Sequence, residues 1–95
     1  MEKTYFVYMM ASKKNGTVYV GMTDDIKVRN LEHKLKKYYG FTARYDVDNL
    51  VYYTQVPDLD SAISLEKKLK GITRKKKISI IEENNPEWND LTYSL

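Results

Sequence analysis

Five side chains carry the chemistry that can be read in this sequence: Tyr8, Tyr19, Arg29, His33 and Glu66. Arg29 and His33 are four residues apart in a segment of helical spacing, so they lie about 40° apart on one helix face. A guanidinium gives a phosphate two parallel hydrogen bonds, and an imidazole can position a water or steady a leaving oxygen. Glu66 falls at helical spacing among Leu59, Ala62 and Ile63, inside what reads as an apolar arc. A carboxylate there is costly unless a cation, a metal or hydrogen bonds compensate it. Magnesium would do so, because it binds through one or two carboxylates and completes its shell with water and substrate phosphate. Tyrosine is a poor base at its unperturbed pKa of about 10, so a cation or a second hydroxyl must lower that value. Paired tyrosines therefore say more than either alone. A base for water, positive charge at phosphorus and help for a departing oxygen are what phosphodiester hydrolysis requires.

Each of these residues has a plainer reading as well. A tyrosine taken singly is a core aromatic with a satisfied hydroxyl. Arg29 and His33 sit away from the Val28-Leu31-Leu35 stripe on a helical wheel, which also fits two solvent-facing residues. Glu66 fits a salt bridge to Arg29 or to a lysine.

To meet, these side chains need a hairpin and two helices. Residues 4 to 10 are rich in β-branched and aromatic types and read as a strand. Asn15-Gly16 is a turn dipeptide, and Thr17 to Met22 read as the returning strand. A suitable register puts Tyr8 and Tyr19 on one face. Thr23-Asp24-Asp25 offers caps, and Val28, Leu31, Leu35 and Tyr38 repeat at helical spacing, giving a first helix that ends near Gly40. Leu50 to Val56 reads as a third strand, apolar enough for burial on both faces. Asp58 to Asp60 cap a second helix to about Lys70, Gly71 breaks it, and Thr73 opens a third that stops before Pro86. The order is β-β-α-β-α-α, an α+β chain, and the tail with Trp88 and Leu91 is expected to fold back on the body.

Ninety-five residues make one domain, over 1–95, with a core of modest size. There is no apolar run of membrane-spanning length and no secretory leader pattern, which makes the cytoplasm the expected location. Cysteine is absent and histidine occurs once, which excludes disulfides, thiolate nucleophiles and cysteine zinc sites and leaves a hard, oxygen-bound cation as the expected metal. The net charge is only +3, but it is clustered. Lys67, Lys68, Lys70, Arg74, Lys75, Lys76 and Lys77 form one group and Lys34, Lys36, Lys37 and Arg44 another. Of these, Lys34, Lys36, Lys37, Lys67, Lys70, Arg74 and Lys75 are candidate nucleic-acid contacts. A solvated helix face explains the same charges.

Phe6-Val7-Tyr8 and Tyr19-Val20-Gly21 resemble the two half-motifs of the GIY-YIG endonuclease family. Asp25 to Arg29 looks like that family's helix start with its arginine, and Glu32-His33-Lys34 is similar to a segment of its small stand-alone members. Phe41-Thr42, Leu50 to Tyr53, Glu66 to Lys70 and Asn85-Pro86-Glu87-Trp88 extend the resemblance over nearly the whole chain. Those members are related to the nuclease domain of the excision-repair subunit that makes the 3′ incision. The resemblance implies a three-stranded antiparallel sheet flanked by helices, with Tyr8, Tyr19, Arg29 and His33 catalytic, Glu66 holding one Mg²⁺ or Mn²⁺, and Gly21 a structural part of the motif. It further implies structure-directed cleavage of DNA, with RNA left open, within a larger repair assembly or alone. A nucleic-acid-binding module of the same fold with little cleavage is the competing class. Two positions depart from the pattern. Phe6 replaces a glycine, and Met22 stands where the repair enzymes carry a lysine able to lower a tyrosine pKa, which shifts that task to His33 or Lys34. Asn84 or Asn85 corresponds to a late asparagine of the family.

Overall fold

The apolar and aromatic run at the N-terminus forms β1, Tyr5–Ala11, and β2, Val18–Thr23, returns beside it. A computed structural model describes residues 4–35 and 46–95. The expectations for Lys36, Lys37, Tyr38, Gly40, Phe41, Thr42 and Arg44 lie outside the described residues.

The hairpin loop is longer than a two-residue turn. Gly16 N–H donates to Lys13 O, Ser12 N–H to Thr17 O, and only Asn15 takes a positive φ, of 60°. Gly16 is required by crowding: a Cβ there would stand 2.4 Å from Ser12 Oγ.

α1 spans Ile26–Lys34, with the Asp25 carboxylate accepting from Val28 N–H at its N-terminus. It closes at a Leu35 cap, earlier than Gly40. Lys34 turns away to donate to Asp48 O and pair with Asp90, tying this end of the helix to the tail. β3 is Asn49–Val56, α2 Leu59–Gly71 and α3 Arg74–Asn84, capped by Asp58 and Thr73 respectively, and a 3₁₀ turn covers Leu91–Ser94. This is the β-β-α-β-α-α order read from the sequence. None of the described helices is long and apolar enough to cross a membrane.

The three strands form one antiparallel sheet in the order β2-β1-β3, so β1 is central. Alternation along it separates two layers. Val7, Met9 and Ala11 pack with Ala62, Leu69, Ile81 and Trp88 on the α2–α3 side, while Tyr8 and Met10 pack with Ile26, Val47 and Leu50 on the α1 side. Burial on both faces therefore runs through the whole centre of β1 and reaches β3 fully only at Leu50 and Val51. The β1–β3 register shifts between Met9 and Met10, which pair with Tyr52 and Leu50 and leave Val51 skipped.

The tail does fold back. Trp88 is buried, and its Nε1–H donates to Glu82. Asn85 explains why the chain turns there: its amide nitrogen donates to Val51 O and Asn89 O, and its oxygen accepts from Asn89 N–H. Every polar atom of this buried side chain is engaged. Asn85→Ala leaves Val51 O without that donor inside the core and should lower unfolding stability by about 1–3 kcal/mol, measurable by urea denaturation. An unchanged midpoint would mean that the knot contributes nothing net.

Candidate active site

In the β1–β2 register Tyr8 lies opposite Gly21 and Met10 opposite Tyr19, so both tyrosines occupy the α1 face of the sheet. Their ring centroids are 6.4 Å apart. The His33 ring closes a triangle with them, 5.8 Å from Tyr8 and 5.7 Å from Tyr19. Tyr8 Oη and His33 Nε2 form a buried hydrogen bond of 3.1 Å. Gly21 makes the arrangement possible, because a Cβ there would lie 2.6 Å from Tyr8 Oη, 2.7 Å from Tyr8 Cζ and 3.0 Å from Tyr19 Cε1.

α1 presents the face opposite to the one its hydrophobic pattern predicts. Val28, Leu31 and Leu35 are 53%, 55% and 56% exposed, whereas Asn30 and His33 are buried and Arg29 is half-buried. The solvent-facing reading of Arg29 and His33 is thus corrected. Partners explain the inversion: His33 bonds Tyr8, Asn30 donates to Thr92 Oγ1, and Arg29 Nε lies 3.4 Å from Glu32. The wheel registers polarity but not partners. Glu32 is the member of this group that the sequence reading left without a role, and its i,i+3 spacing to Arg29 was the available signal.

Burial, and after it the positive charge of Arg29, holds the His33 pKa below its ordinary 6.5, with Glu32 opposing. The imidazole is therefore neutral at neutral pH and able to accept a proton. Stability carries the same signature. Above about pH 6.5 the ring is neutral in both the folded and the unfolded chain. Below that, the unfolded chain takes up a proton that the folded one refuses until a lower pH, so stability falls across the window. Urea melts at pH 7.5 and 5.5 should show a loss in the wild type that is reduced in His33→Gln. Equal losses would place the dependence on other groups.

The profile of the GIY-YIG catalytic domain matches residues 4–79. The chain belongs to the GIY-YIG family. It is similar to the UPF0213 protein of Lacticaseibacillus paracasei, 34% identical over 86 residues that span 90% of this chain and 96% of that one. The solution NMR structure of a UPF0213 protein from Bacillus halodurans is 25% identical, with a TM-score of 0.57 and 94% of each chain covered.

Within this GIY-YIG domain the other candidate residues are less concentrated than the triangle. Glu66 lies on α2, which packs on the sheet face away from His33. The buried stripe of α2 is Ala62 and Leu69, while Leu59 and Ile63 are exposed. Glu66 is therefore on the border of the buried arc rather than inside it, partly buried and paired with Lys70 in its own helix. That pair is the structural alternative its sequence position allowed. Among the described residues no group of three or more histidines and carboxylates is placed to hold a metal ion. Met22 points to the α2 side of the sheet, among the residues around Val7, so its position offers no contact with the tyrosines. Of the two groups named in place of the missing lysine, His33 stands against both rings, whereas Lys34 is engaged by Asp90 and Asp48. Arg74 donates to Asn15 O and Gly16 O, latching the hairpin loop to α3. Lys67 and Lys75 are exposed.

Proposed function

We propose that this domain hydrolyses phosphodiester bonds in DNA as a metal-dependent endonuclease of low sequence specificity. The observation that supports it most is the buried Tyr8–His33 hydrogen bond with the Tyr19 ring tilted against both rings. A fold-only role does not require an unprotonated imidazole against two phenols.

Tyr8 is 1% exposed and Tyr19 is half-buried, so Tyr19 is the hydroxyl that retains access to solvent. In this reading Tyr19 passes its phenolic proton to the neutral imidazole of His33 beside it and takes the proton of the attacking water in its place. Tyr8 fixes the imidazole in place through its Nε2. Arg29 meets the negative charge that gathers on phosphorus, with Glu32 setting the direction of the guanidinium. Glu66, a single carboxylate at the edge of a helix, suits Mg²⁺ or Mn²⁺, which needs few protein ligands when substrate phosphate and water complete its shell. Held on the rim of α2, which packs against β2, such a cation would reach the phosphate around the free edge of that strand, on which Tyr19 lies, and would there supply further charge to the transition state. The exposed lysines of α2 and α3 supply backbone contacts that carry no sequence information.

Incubation with nicked, branched and single-stranded DNA, with Mg²⁺ or Mn²⁺ and with EDTA, tests the proposal. Cleavage should need the metal and should be lost in both Arg29→Ala and Glu66→Ala. Cleavage that survives both substitutions would sink the assigned site, and tight binding with no cleavage would favour the binding-module reading.

A further inference from the structure

Beyond the tyrosine triangle, the α1 face of the sheet carries a second feature. Phe6 is two residues before Tyr8 on the same face of β1, and its ring lies 6.4 Å from that of Tyr53. A cleft of about 210 Å³ opens over this aromatic pair. It adjoins one of about 330 Å³ between α1 and the tail, lined by Asn30, Leu31 and Thr92, and the two share Lys27. Together they make a groove with an aromatic floor, a cationic rim and a wall of mixed polarity.

The wall holds an unanswered polar atom. Asn30 is 3% exposed, and its amide nitrogen donates to Thr92 Oγ1, whose hydroxyl in turn donates to Asp90. That chain fixes which end of the amide is the oxygen, and this oxygen accepts no hydrogen bond from the described residues. A buried acceptor in this state takes a donor when a ligand offers one. Leu31, more than half exposed, lines the same cleft as Asn30.

We infer that the groove holds an unpaired nucleotide of the strand being cut. This rests on the nucleic-acid substrate proposed above and adds the form that the substrate takes. Phe6 and Tyr53 offer faces on which a base stacks, and Lys27 meets its phosphate. Asn30 Oδ1 accepts an N–H from the Watson–Crick edge. In a duplex those N–H groups are already bonded to the opposite strand, so the orphaned acceptor selects for a base that is not paired.

The test is an NMR titration of the ¹⁵N-labelled protein without divalent metal, using hexadeoxycytidylate, a blunt duplex and deoxycytidine monophosphate. The single strand should shift the Phe6, Lys27 and Thr92 amides and the Asn30 side-chain amide, and the duplex should leave them in place. Lys27→Glu, an exposed substitution whose folding is checked by circular dichroism, should weaken the single strand about tenfold. Shifts confined to the surroundings of Tyr19 and Arg29 would overturn the groove while leaving the nuclease reading intact. The mononucleotide binding as tightly as the strand would overturn the assignment to a strand. No shift with any probe, in a protein that cleaves DNA, would overturn the groove alone; no shift and no cleavage would remove both.

Discussion

Tyr19→Phe is expected to lower metal-dependent cleavage of DNA about 10²- to 10⁴-fold, the range typical of a positioned general base, while leaving the fold unchanged. Tyr19 is half-buried on an edge strand, and removing its hydroxyl leaves the ring packed against Tyr8 and His33. Tyr8→Phe makes the informative comparison. Its hydroxyl is buried and meets His33 Nε2, so its loss unseats the imidazole and leaves a buried ring nitrogen without that partner. Tyr8→Phe should therefore lower both stability and rate, with the rate falling less than for Tyr19→Phe. Rates from a nicked-DNA assay together with urea midpoints distinguish the two roles. If Tyr8→Phe lost as much rate as Tyr19→Phe at full stability, the base would be Tyr8 and the roles of the two tyrosines would be reversed.

Strand alternation and the return at Asn15-Gly16 made a shared face for the two tyrosines available, but the register that realises it, Tyr8 opposite Gly21, was not fixed by the sequence. The sheet and its order of elements followed from the same punctuation, including the caps at Asp25, Asp58 and Thr73. The orientation of α1 was not legible. Its hydrophobic stripe, Val28, Leu31 and Leu35, points outward because the inward face is built from polar groups that find partners on other elements, 25 residues away for Tyr8 and 62 for Thr92. Periodicity sums the preference of each side chain for water and is blind to such long-range pairing. Glu66 shows the same limit from the other side. Leu59 and Ile63 look like core at helical spacing, yet the helix is rotated so that Ala62 and Leu69 are buried instead, and the carboxylate lands on the rim beside Lys70. Asn85 was visible only as a residue to align, since an amide that satisfies a carbonyl of β3 has no local pattern.

Gly21→Ala should remove activity through packing rather than chemistry. Ordinary Cβ contacts begin near 3.4 Å, and the added methyl would meet Tyr8 Oη at 2.6 Å and Cζ at 2.7 Å, with Tyr19 Cε1 at 3.0 Å. None of these can retreat cheaply. Tyr8 is buried at the centre of the sheet and held by His33, and Tyr19 is packed between them and the edge. Overpacking of this kind costs about 1–3 kcal/mol, and here the displacement falls on the two rings whose spacing the reaction uses. Cleavage should drop to the level of Tyr19→Phe even at temperatures where the variant is fully folded. Combining Gly21→Ala with Tyr8→Phe sorts the causes. Deleting the hydroxyl relieves the 2.6 Å contact but not the one at Cζ, so the double variant should recover part of the lost stability and none of the activity. Full additivity of the two stability losses would show that the methyl is accommodated by the backbone of β2 instead, and that the glycine is not what sets the distance between the tyrosines.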